Sequence, residues 1–124
     1  MKSVKFSEVA LGLIIFSSFV LAGDQLSQKD LKVLEKHCEN GNFVVCTDLG
    51  VIYSSKRYVQ KINIEKAIKF YKIACDRYNY AKACGELGDI YMNFVDKYNA
   101  LEYYKKSCSL GGGCAAYNYF RNEP

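Results

Sequence analysis

The sequence predicts an all-α protein, an α/α solenoid of about three helix-turn-helix repeats that each carry one disulfide. Three observations lead to this fold class. Two segments recur in alternation along the chain, apolar residues recur at helical spacing within them, and six cysteines fall at corresponding positions. The 124 residues are half apolar, which is typical of one folded domain rather than a disordered chain.

The N-terminal segment has the pattern of a secretory signal. Lys2 and Lys5 precede an apolar run over residues 9–20, and Ala22 suits a signal peptidase. We expect cleavage after residue 22, which leaves residues 23–124 as the mature domain in a secreted or periplasmic location. An uncleaved anchor is the competing interpretation, although the run is shorter than the roughly 20 residues that span a bilayer.

The first helix of each repeat, the A helix, is predicted from a segment that occurs three times. The segment 67–75 aligns with 100–108, and more faintly with 31–38. In the second copy, apolar residues from Ile64 to Cys75 recur every three or four positions and form one stripe. Predicted N-caps are Ser27, Asn63 and Asp96.

The second helix of each repeat, the B helix, is predicted from the shared pattern Cys-x-x-Leu-Gly-x-Ile-Tyr. It occurs at 46–53 and 84–91, and a third copy at 114–120 keeps only the Cys and the aromatic residues. Asn42 and Asn79 are the expected caps. Gly50 and Gly88 lie within B helices, where we expect them to allow close backbone approach between the two helices of a pair. The repeats then cover about 28–54, 64–93 and 97–121.

The cysteines are predicted to form one disulfide within each repeat. A short bend brings the end of an A helix level with the start of its B helix, at a separation that a disulfide can bridge. The expected pairs are Cys38–Cys46, Cys75–Cys84 and Cys108–Cys114, the last being the least regular because its bend is Gly111-Gly112-Gly113. The spacing does not match zinc-ligand motifs and only one His is present, so we expect no metal and no cofactor.

The repeated Ala-x-x-x-Tyr-x-x-Ala-Cys and Cys-x-x-Leu-Gly-x-Ile-Tyr patterns resemble Sel1-like repeats, which are TPR-like helix pairs. More narrowly, the chain is similar to the Helicobacter cysteine-rich proteins, exported solenoids with one disulfide in each repeat. The resemblance covers about residues 28–120. The chain departs from the family in lacking glycine at 54–63 and in losing Leu-Gly from its third B helix.

The resemblance implies two functions. The first is a binding module that presents its helices to a protein, a peptide or a cell-wall fragment. The alternative is a weak β-lactamase or penicillin-binding hydrolase, because members of that family carry the β-lactamase label, and a β-lactam-like molecule would then be the ligand. The residues show no catalytic motif for it, since the chain has no S-x-x-K and a single His.

Charge and aromatic content bear on the partner. The formal net charge of +4 is spread along the chain without a basic block, so we expect no nucleic-acid partner and, after signal cleavage, no membrane partner.

Tyrosine offers rigid contact area with a polar tip. Of the 11 tyrosines, five are predicted nearer to loops or polar faces, namely Tyr58, Tyr78, Tyr80, Tyr98 and Tyr103. Among these, Tyr78, Tyr98 and Tyr103 are the candidate ligand contacts.

Overall fold

The computed structural model describes residues 25–122, so the predicted signal peptide at 1–22 lies outside the described residues. Within this range the protein is all-α and forms helix-turn-helix units, as predicted. The first unit contains α1 (Gln28–Glu39) and α2 (Phe43–Tyr53). The second contains α3 (Ile64–Lys72), a π-helical turn (Ile73–Arg77) and α4 (Ala81–Phe94). The third contains α5 (Lys97–Ser109) and the short α6 (Ala115–Phe120).

Local sequence explains where most helices begin. The side chains of Ser27, Asn42, Asn63 and Asp96 each accept a hydrogen bond from a backbone N–H of the first helical turn. The prediction for Asn79 is wrong. Its φ of 52° places it in the left-handed region, which Asn tolerates, so it follows the preceding helix instead of capping α4.

Each of the three helix pairs is closed by the predicted disulfide. The Cα atoms are 4.8 Å apart in Cys38–Cys46, 4.9 Å in Cys75–Cys84 and 4.5 Å in Cys108–Cys114. The second pair has one residue more between its cysteines than the first. The π-helical turn takes up one extra residue by widening the helix, which explains why the two Cα distances agree.

The core runs along the interface between successive units. Its largest fully buried side chains include Leu31, Leu49, Phe70, Tyr71 and Leu87. α6 contributes no buried residue, so the third unit is thinner than the other two. This difference places an open cleft at the α6 end of the array.

Gly50 and Gly88 have a different role from the one expected. A Cβ atom on Gly50 would lie 2.4 Å from a ring carbon of Tyr71, and one on Gly88 would lie 2.6 Å from the ring of Tyr104. The close neighbour is therefore an aromatic ring from the A helix of the next unit, and not the backbone of the partner helix in the same pair. The glycine in each of the first two B helices makes room for the tyrosine that joins its unit to the next.

Candidate functional site

The candidate site is a cleft of about 380 Å³ between α4 and α6, with α5 as its floor. This volume is within the range of small-ligand pockets. One wall is formed by Lys82, Glu86 and Asp89, which recur every three or four residues and therefore share a face of α4. Tyr104 and Ser107 form the floor. The opposite wall is the glycine bend and the start of α6, with Gly112, Gly113, Ala115 and Ala116.

The floor of the cleft is fixed by hydrogen bonds within the protein. The Tyr104 hydroxyl donates to Asp89 Oδ1 at 2.6 Å, and the Ser107 hydroxyl donates to the Ala81 carbonyl at 2.9 Å. The ring of Tyr104 also stacks on Phe120 of α6, with centroids 5.7 Å apart. Burial, then the hydrogen bond to Asp89, raises the pKa of Tyr104, so the hydroxyl stays protonated and remains a donor.

The wall formed by α4 carries two charged groups that make no hydrogen bond or close ion pair in the part of the chain that the structure describes. Within residues 25–122, no hydrogen bond or ion pair engages the half-buried Glu86 carboxylate or the exposed Lys82 ammonium. Burial, then the charge of Asp89, raises the pKa of Glu86, and Lys82 offsets part of this shift. The cleft therefore offers an acidic and a basic group to a ligand.

A second cavity, of about 790 Å³, lies at the other end of the array between α1, the 54–63 loop and the start of α3. Of its three charged lining residues, Lys61, Glu65 and Lys66, the last is engaged within the protein. The Tyr53 hydroxyl donates to Glu35, and Lys66 Nζ lies 3.4 Å from Glu35 Oε2 and 4.9 Å from the centroid of the Tyr53 ring. Lys61 and Glu65 are exposed to solvent, whereas Glu86 of the α4–α6 cleft is half-buried, so the α4–α6 cleft is the stronger candidate for polar recognition.

The three tyrosines predicted as ligand contacts do not line the α4–α6 cleft. Tyr78 stacks on Phe43 at the bend of the second unit, while Tyr98 is 73% exposed near the start of α5. Tyr103 is partly buried against Tyr91, with ring centroids 5.3 Å apart. Their role in binding stays a prediction.

Lys82, Glu86 and Asp89 are not among the site residues predicted from the sequence. A signal for one of them was present, because Asp48 and Glu86 occupy the same position of the B pattern, two residues after its Cys. Burial raises the pKa of both carboxyls. A half-buried acid in successive B helices contributes little to a core, so its recurrence indicates a use at the surface.

Fold and site together define a cysteine-rich helical repeat protein with a polar cleft at one end. No protein-family model and no curated protein sequence matches the chain. None of the helices formed by residues 25–122 has the length and apolarity to cross a membrane. The three disulfides indicate folding in an oxidising compartment outside the cytoplasm.

Proposed function

We propose that this protein is an exported binding module of the Sel1-like, Helicobacter cysteine-rich kind, located in the periplasm or secreted. Support comes from the repeated cysteine and Leu-Gly-x-Ile-Tyr patterns, the one disulfide in each helix pair, and the signal-like N-terminus. In such a protein the disulfides hold the scaffold, and recognition falls to the surface that the scaffold positions.

The observation that carries the proposal is the pair of charged groups in the α4–α6 cleft that make no hydrogen bond or close ion pair within residues 25–122. Lys82 and Glu86 are four residues apart on α4, so the cleft offers a cation and an anion about one helical turn from each other. A ligand that carries both an ammonium and a carboxylate matches this arrangement. Such groups occur together in a peptide segment of a protein and in the peptide part of a cell-wall fragment, and these are the proposed ligands.

Binding is favoured over hydrolysis by the state of the possible nucleophiles. Ser107, at the floor of the cleft, donates its hydroxyl to a backbone carbonyl and makes no hydrogen bond to Lys82, Glu86 or Asp89, the groups lining the cleft that could act as a base. The six cysteines are all in disulfides. The β-lactamase function therefore stands as the alternative that the family resemblance suggests, and no described group carries it.

The test is a titration of the oxidised, ¹⁵N-labelled protein with a peptidoglycan stem tetrapeptide that has a free ammonium and a free carboxylate. We expect chemical-shift changes at the amides of Gly85 and of residues 112–116. Glu86→Gln should weaken binding by about tenfold, because a charge-assisted hydrogen bond is worth about 1.5–3 kcal/mol. The matched control is Glu65→Gln, an exposed acid of α3 that does not line the cleft, and it should leave binding unchanged.

A second ligand separates charge recognition from non-specific contact. The same tetrapeptide with its ammonium acetylated and its carboxylate amidated should bind at least about tenfold more weakly. Shifts confined to other parts of the protein, or equal affinity for both peptides, would contradict the assignment of the site. If the wild type turns over nitrocefin and Glu86→Gln abolishes that turnover, the hydrolase function replaces the binding function.

A further inference from the structure

The three disulfides differ in how far they are buried. Cys38, Cys46, Cys75 and Cys84 are each at most 1% exposed and belong to the hydrophobic core. Cys108 and Cys114 are only partly buried and lie outside that core. A thiolate must reach a sulfur atom in order to attack it, so only the third bridge can be attacked without prior opening of the core.

The surroundings of the third bridge leave room for such an attack. The bend between its cysteines is Gly111-Gly112-Gly113. A Cβ atom on Gly111 or Gly113 would meet no atom within 4 Å, whereas one on Gly112 would lie 2.6 Å from the Ser107 hydroxyl, so the two outer residues of the bend are the open ones. Lys105, three residues before Cys108 on α5, shares the face of the helix that carries this cysteine and places positive charge on the side of the bridge. Positive charge stabilises the thiolates that enter and leave during disulfide exchange.

The third bridge also holds an element that has little else to fix it. α6 has six residues and buries none of them, and its main aromatic contact is the stack of Phe120 on Tyr104. A six-residue helix is not stable on its own in water. The covalent link through Cys114, which immediately precedes α6, therefore accounts for much of its attachment.

We infer that Cys108–Cys114 is a thiol-exchange site that a dithiol reductant of the thioredoxin class can open while the other two bridges stay closed. A thiolate of the reductant attacks one sulfur of the bridge, the S–S bond breaks, and the other cysteine leaves as a thiolate that takes up a proton. The second thiol of the reductant then attacks the mixed disulfide and releases the first cysteine. The bridge gains two electrons and two protons, and the dithiol becomes a disulfide.

Opening this bridge removes one wall of the α4–α6 cleft. Four residues of that wall, Gly112, Gly113, Ala115 and Ala116, lie in the bend or in the first turn of α6. Once α6 detaches, Phe120 leaves Tyr104 and the cleft loses its enclosed shape. Control of ligand binding by this bridge rests on the proposed function, whereas the exchange site itself does not.

The experiment is a time course of the full mature protein in low dithiothreitol, quenched with an alkylating agent and mapped by mass spectrometry of non-reduced peptides. We expect Cys108 and Cys114 to be alkylated at least about tenfold faster than the other four cysteines, since those need an opening of the core. Alkylation of all six at one rate would mean reduction through global unfolding, and would overturn the inference. Faster alkylation of either of the other pairs would overturn it too.

Hydrogen exchange on the selectively reduced protein tests the detachment. The amides of α6 should lose protection while those of α1 to α4 keep it, and an α6 that stays protected would overturn the proposed opening. The matched variants are Cys108→Ser/Cys114→Ser and Cys75→Ser/Cys84→Ser. Each should leave its two remaining bridges at their wild-type rates of reduction. If either variant fails to fold, the wild-type time course alone decides whether the third bridge is reduced selectively.

The same samples distinguish the proposed binding function from the proposed exchange site. Selective reduction followed by loss of stem-peptide binding supports both. Selective reduction of a protein that binds no stem peptide even when oxidised contradicts the proposed function and leaves the exchange site supported. Unchanged stem-peptide binding after α6 has detached contradicts control of the cleft by this bridge.

Discussion

Gly50→Ala tests the packing that joins the first and second units. The new Cβ would lie 2.4–2.5 Å from three carbons of the Tyr71 ring, a distance that requires a shift of the ring or of the helix. Tyr71 is only 2% exposed, so its ring has no free space to enter. Overpacking of this kind costs about 2–3 kcal/mol, while the higher helix propensity of Ala stabilises the helix by about 1 kcal/mol.

The expected net effect is a loss of about 1–2 kcal/mol in the free energy of unfolding. It should be measured by urea unfolding of the oxidised protein, followed by far-ultraviolet circular dichroism. Gly85→Ala is the matched control on α4, because its Cβ would meet the Ser107 hydroxyl at 3.3 Å and needs only a small adjustment. We expect this control to be neutral or slightly stabilising.

A double variant isolates the contact with the ring. Tyr71→Leu removes the ring carbons that the new methyl group would meet, so Gly50→Ala should cost less in that background than in the wild type. Gly50→Ala that is as stable as the wild type would refute the packing account. An equal cost of Gly50→Ala in both backgrounds would refute the role of the ring.

Three further predictions concern ionisation and capping. Burial, then the charge of Glu86, raises the pKa of Tyr71 above its ordinary value of 10.0, so the folded state keeps the proton and loses stability as the pH rises past that value. Tyr71→Phe should reduce the fall in the urea midpoint between about pH 9 and 11, and an unchanged fall would contradict this. Because burial also raises the pKa of Glu86, its charge opposes folding at neutral pH, and Glu86→Gln should raise the urea midpoint at pH 7. That gain should shrink as the pH falls through the ordinary carboxyl value of 4.5, and a less stable variant at pH 7 would be the opposite result. Asn63 accepts a hydrogen bond from the backbone N–H of Lys66 at 3.0 Å, so Asn63→Ala should cost about 1 kcal/mol in urea unfolding, and no loss would count against the cap.

Features that depend on neighbouring residues could be predicted from the sequence. The Asn63 cap needs only the next three residues, and the apolar stripe from Ile64 to Cys75 fixes the buried side of one helix. The disulfides were predictable for a related reason, since each pair of cysteines is separated by at most nine positions across a single bend.

Features that join distant residues could not be predicted in the same way. Gly50 is visibly a small residue inside a helix, but its neighbour Tyr71 belongs to the next unit, which only the packing of the two units reveals. The cleft likewise depends on contacts between residues that are distant in the sequence. It exists because α6 is short and because Ser107 bonds the Ala81 carbonyl across 26 positions of sequence.

All six cysteines are used in three local bridges, and we expect recognition to fall to the surface which the helix pairs present. The most direct test is mass spectrometric mapping of non-reduced peptides from the protein as it is exported. The structure predicts the pairs Cys38–Cys46, Cys75–Cys84 and Cys108–Cys114 and no free thiol. Bridges between different helix pairs, or free cysteines in the exported protein, would contradict it.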